Sequence, residues 1–182
     1  MKYRLFVVGL ILAVGSAMAF LGIRGVSAQT TLTDQQRDLI RANCITIKNT
    51  LNQLNASDAL LRVNRGQVYE SMGSKLMDRF NSRLDGRNLD SRGVVSVTGS
   101  YRSSLQDFRA NYITYERQLT ATLRIDCTTD PDSFHASLLS AREKRALVHE
   151  DVNRLHQFID DYRNAAADFR LNFERVSGEN NR

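Results

Sequence analysis

The chain has 182 residues, 42% of them hydrophobic and 25% charged, with one Pro, two Cys and no Trp. That length fits one domain, and the balance excludes a disordered tail and a multi-pass membrane protein. Of the formal net charge of +5, three cations (Lys2, Arg4, Arg24) sit in the first 28 residues, leaving 22 basic against 20 acidic side chains. So even a balance, with both signs interspersed, excludes a nucleic-acid-binding surface.

The chain opens with Lys2 and Arg4, followed by an uncharged stretch from Leu5 to Ile23 and the small-residue run Val26-Ser27-Ala28. Residues 1–28 read as a signal peptide cleaved before Gln29 or, uncleaved, as an N-terminal membrane anchor. Either way the positive N-terminus stays inside and residues 29–182 are exported: secreted, periplasmic or anchored facing outward. Of the 22 exported cations 19 are Arg, whose forked guanidinium suits ion-paired helix faces.

Thr33-Asp34-Gln35-Gln36 is a capping box, and Ile40, Cys44, Ile47, Leu51, Leu54, Leu61, Val68 and Met72 follow on one three-four stripe. Leu76, Phe80 and Leu84 continue it at four-residue steps until Asp85-Gly86 supplies a stop. The spacing predicts one long helix over 34–85, with a kink admitted at Asn55-Ala56-Ser57-Asp58. A second helix, 94–126, carries Tyr101, Leu105, Phe108, Tyr112, Tyr115 and Leu119. Asp130-Pro131 then starts a third, 131–176, with a seam from Phe134 and Leu138 through Leu155 to Phe173 and Val176. One Pro and six Gly beyond the leader leave too little turn chemistry for a sandwich or barrel. The fold class is all-α, an elongated antiparallel three-helix bundle with coiled-coil-like packing over residues 29–182.

Cys44 and Cys127 are the only cysteines of an exported chain, so an intramolecular disulfide is the default. Folding the chain back at Asn88 and Leu89 puts position 127 opposite position 50, about 9 Å from Cys44 along a helix. A reversal at Asn55 would separate the pair by about 27 Å. The pairing and the continuous stripe thus ask for the same long first helix.

Asp58, Arg65 and Arg145 are charged residues at apolar stripe positions. The same ruler puts Arg65, Tyr112 and Arg145 in one layer, with Glu116 a turn away and Asp58 two turns away. Two arginines in a dry core need acids, carbonyls, water or a ligand. The layer either sets register or holds an anion or partner.

Other chemistry has little support. His135, His149 and His156 share a helix face, but the closest two are one heptad, about 10.5 Å, apart, so no metal site is expected. Asp126, Asp130 and Asp132 lack calcium-loop spacing, and Glu150-Asp151 and Asp160-Asp161 diverge on a helix. No phosphate-binding Gly loop and no nucleophile motif is present. Neither catalytic residues nor cofactors are expected.

Leu32-Thr33-Asp34-Gln35-Gln36 resembles the LTxxQ motif of the Spy and CpxP periplasmic proteins, a resemblance of five residues that implies a helical, ATP-independent chaperone or stress sensor. A longer pattern resembles uncharacterised exported helical-bundle proteins of candidate-phylum bacteria. It comprises the leader, a Cys in the first helix (Cys44), a second before a Pro-x-x-Phe helix start (Cys127, Pro131, Phe134), and an Arg-Glu-Lys-Arg stretch (Arg142 to Arg145). That resemblance implies architecture without an activity. The reading is a non-enzymatic envelope protein that binds another envelope or extracellular protein, or itself, or acts as a structural spacer. It touches membrane only through residues 1–28 if these are uncleaved. A periplasmic-type holdase chaperone or stress sensor is the alternative, and anion or small-ligand sensing at the polar layer is a third.

Overall fold

The computed structural model describes residues 31–179; the leader reading for residues 1–28 lies outside them. Among the described residues the chain is all-α, without a strand. Its elements are α1 (Asp34–Ala42), α2 (Cys44–Ser71), a π-helical turn (Met72–Met77), α3 (Asp78–Asp85), α4 (Arg92–Arg124) and α5 (Pro131–Glu179). No helix among these residues is long and apolar enough to cross a membrane.

α1 starts at the capping box. Gln36 N–H donates to Thr33 Oγ1 at 3.3 Å and Thr33 N–H donates to Gln36 Oε1 at 2.8 Å, which satisfies two of the backbone donors a helix start leaves open. The helical path runs unbroken through Asn55–Asp58, without the kink that the sequence admits there. It is interrupted instead at Asn43, whose ψ of 10° leaves the helical range, and at the π-helical turn.

That turn has a tertiary cause. Asp78 N–H donates five residues back, to the Gly73 carbonyl, so the ladder of four-residue bonds is broken locally. Tyr101 of α4 is fully buried against the gap, its hydroxyl donating to the Tyr69 carbonyl at 2.7 Å. A Cβ on Gly73 would stand 3.4 Å from the Tyr101 ring, an ordinary contact distance, so the close packing over this turn does not depend on glycine. At the far end Tyr162 of α5 donates to the Met77 carbonyl at 3.3 Å and to Asn81 Oδ1 at 3.0 Å. Tyr101→Phe should cost about 1–2 kcal/mol, because it strips a partner from a buried carbonyl. Urea unfolding of wild type and variant checks this, and equal midpoints would mean that the hydroxyl contributes nothing.

The first helical stretch ends in a Schellman motif. Asn88 takes a positive φ of 53°, Leu89 N–H donates to the Leu84 carbonyl at 3.0 Å and Asn88 N–H to the Asp85 carbonyl at 2.9 Å. The stop thus falls on Asn88 rather than Gly86, which keeps helical angles. Asn tolerates the left-handed region through its short polar side chain. α4 begins at Arg92 rather than 94. Its β-branched start stays helical because Val94 is buried and Thr98 Oγ1 donates to the Val94 carbonyl while accepting from Asn81. Asp130 caps α5 by accepting from Ser133 N–H at 3.0 Å, with Pro131 as first helical residue.

Contacts across the elements follow a consistent order. Cys44 meets Cys127, Asp58 meets Tyr115 and Arg145, Tyr69 meets Tyr101 and His156, and Asn81 meets Thr98 and Tyr162. Tyr101, Leu105, Phe108, Tyr112, Tyr115 and Leu119 of α4 are all buried, joined by Phe134, Ala141, Leu155 and Tyr162 of α5. The first stretch departs from its expected stripe. Leu61, Val68 and Leu76 are 47%, 56% and 54% exposed, whereas Tyr69, Gly73 and Met77 face inward. A strict seven-residue repeat drifts by about 20° per heptad on a straight helix, so the stripe walks out of the core. Phe173 and Val176 are also exposed, because the 49 residues of α5 outrun the 33 of α4.

Candidate functional site

Three elements each contribute one member of a buried polar cluster. Asp58 sits mid-way along α2, Tyr115 on the buried stripe of α4, and Arg145 at the single charged position of the α5 seam. Tyr115 donates its hydroxyl proton to Asp58 Oδ2 at 2.7 Å. Arg145 Nε donates to the same oxygen at 2.9 Å and Nη2 to Oδ1 at 3.2 Å. This forked, charge-assisted pairing satisfies a carboxylate that is 8% exposed. Burial by itself would push the Asp58 carboxyl up, but the hydrogen bonds from Arg145 and Tyr115 outweigh it and hold the group below its ordinary value. Burial and the hydrogen bond to Asp58 push the Tyr115 phenol well up, so it stays protonated as a donor.

Beside this cluster lies a cavity of about 160 Å³ in the seam between α2 and α5, floored by α4. Leu61, Phe108, Val148 and Val152 give it apolar walls; Arg62, Arg65, Tyr112 and His149 give it a polar edge. Tyr112 is 4% exposed and its hydroxyl has no hydrogen-bond partner. The Arg62 guanidinium lies 5.0 Å from the centre of the Tyr112 ring and 3.6 Å from Glu116. Arg65 is exposed and makes no ion pair among the described residues.

The expected layer is therefore rearranged. Asp58, placed two turns from Arg145 by the ruler, is its direct partner, while Arg65 stands free at the rim and Glu116 is taken by Arg62 rather than lining the cavity. Two effects shift the level. The π-helical turn packs more residues into each turn than an α-helix, which brings Asp58 nearer the loop and opposite a lower-numbered residue of α4. The reach of the Arg145 side chain along the axis supplies the rest. The cluster also recruits Tyr115, which its stripe position marks only as core.

Cys44 and Cys127 form a disulfide with a Cα–Cα distance of 5.5 Å, set in a small apolar cluster with Phe134, Ile40, Ile47, Leu51, Ile125 and Leu138. A structural disulfide fits an oxidising compartment. Two further polar pairings are illegible in the sequence. Asp151, 2% exposed, accepts from Asn111 Nδ2 at 2.8 Å, and the Tyr69 hydroxyl lies 3.0 Å from His156 Nε2. Asp126, Asp130 and Asp132 are spent on Thr128 N–H, Ser133 N–H and Arg37. Among the described residues no three His, Cys, Asp or Glu side chains converge as metal ligands would.

No known protein family, curated protein or solved structure matches this chain.

Proposed function

We infer that this chain is a non-enzymatic extracytoplasmic protein whose helices form an elongated antiparallel three-helix bundle and bind an amphipathic helix of another exported protein. The contact order supports the bundle, since residue numbers along α4 fall and those along α5 rise as the first stretch ascends. The disulfide supports the compartment.

The carrying observation is the exposure of Leu61, Val68 and Leu76. Spaced by seven and eight residues, they follow one edge of the first stretch, and Leu76 borders an apolar groove. Met72, Leu76 and Phe80 line that groove from one side, Ile159 and Ala166 from the other, and it encloses about 400 Å³. Contiguous exposed apolar surface of this kind marks an interaction site, and a helix with anchors every three or four residues fits a groove between two helices. A spacer role is compatible with the same build, since 49 residues of α5 span about 70 Å.

Cross-linking in intact producing cells, from a photo-reactive residue at position 68, tests the reading. One dominant exported partner captured there is the expected result. A scatter of unrelated exported proteins would replace it by the holdase reading, and a fixed self-contact would make the bundle an assembly unit. The LTxxQ-like residues Leu32–Gln36 have a local use as the cap of α1, so the holdase alternative rests on the exposed apolar edge alone.

A further inference from the structure

We propose that the cavity beside Asp58 binds a small organic monoanion, a carboxylate carried on an apolar body about the size of one six-membered ring. The inference does not require the partner-helix reading and stands on volume and charge. At about 160 Å³ the space matches apolar cavities that accept benzene. Leu61, Phe108, Val148 and Val152 supply walls that hold a ring by dispersion and by exclusion of water.

The polar edge selects the head group. Asp58, the one carboxylate in the wall, has both oxygens engaged by Arg145 and Tyr115. Arg145 is neutralised by that pairing, and Arg62 is drawn to Glu116 and the Tyr112 ring. One cation of the lining arginines, Arg65, is left uncompensated among the described residues. A carboxylate supplies the missing counter-charge by accepting from the Arg65 guanidinium. A dianion such as a phosphate monoester would bring more charge than one free arginine offsets against apolar walls.

Calorimetric titration of the purified full-length protein with benzoate is the test, with benzyl alcohol and acetate as the probes that lack the charge and the ring. Saturable binding of one benzoate is expected, with either control at least about tenfold weaker. Arg65→Gln, at an exposed position, should weaken benzoate about tenfold without lowering the thermal midpoint. No saturable heat up to about 10 mM benzoate would overturn the proposal, as would benzoate binding that Arg65→Gln leaves unchanged.

Discussion

Replacing Cys44 and Cys127 together by Ala is expected to destabilise the protein by about 4–5 kcal/mol in the chain-entropy view. The bridge joins residues separated by 83 positions, so it removes a large set of open conformations from the unfolded chain. For a chain of this length the loss lowers the thermal midpoint by about 10–15 °C. Native contacts at this end of the molecule remain. Phe134, Ile40, Ile47 and Leu138 still pack round the site, and Arg37 Nε stays 2.8 Å from Asp132. The variant should therefore fold to the same helical content and unfold earlier. Reduced wild-type protein ought to match it. A midpoint within about 3 °C of wild type in both experiments would show that the bridge does not constrain the unfolded state.

Asp58→Ala is the second large effect, a loss of about 2–4 kcal/mol. It leaves the Tyr115 hydroxyl buried without an acceptor and Arg145 without its counter-charge. The Arg145 side chain keeps 37% of its surface in water, which holds the loss below that of a fully enclosed pair. Replacing all three members, Asp58→Leu with Tyr115→Phe and Arg145→Leu, should recover wild-type stability to within about 1 kcal/mol or exceed it, since apolar contacts carry no desolvation cost. Recovery would show that the cluster specifies register rather than adding stability. A triple variant as weak as the single would refute that.

The same carboxylate contributes a pH dependence. Asp58 is held below its ordinary value in the folded state, against the opposing effect of burial, by hydrogen bonds from Arg145 and Tyr115. Its contribution is fully present above the unfolded carboxylate range, about pH 4, and is lost as pH falls through the lower folded value. The stability gap between wild type and Asp58→Asn should accordingly narrow as pH drops below about 4, and a gap that widens there would contradict the pairing.

How far the sequence speaks for the structure differs element by element. The buried stripe of α4 from Tyr101 to Leu119 is readable because that helix touches both neighbours, so its apolar positions are all used. The first stretch is readable as a helix but not as a buried face. Its regular heptads at Leu61 and Val68 look like core, and only the straight path of the helix turns them outward. The change from three-four to four-residue steps at Met72, Leu76 and Phe80 is the trace that the π-helical turn leaves in the sequence. Its cause, Tyr101 reaching the Tyr69 carbonyl past Gly73, lies 32 positions away. Likewise the charges at 58, 65 and 145 are conspicuous on apolar stripes, yet which of them pair depends on axial offsets of one turn. Tyr115, Asn111 and His156 carry no local mark of their partners at all.

The sequence by itself determined the helical class, the capping of α1 and α5, the neighbourhood of Cys44 and Cys127, and the presence of a charged level inside an apolar seam. These follow from residue type and short-range spacing, which act within a few turns. Tertiary structure alone decided which edge of the first stretch meets solvent, that Asp58 lies level with Arg145 and accepts from it, and that a cavity opens beside Tyr112. The reason is that helix phase accumulates: a drift of about 20° per heptad and one widened turn are invisible locally. Over the length of the first helical stretch they suffice to move a side chain from core to surface.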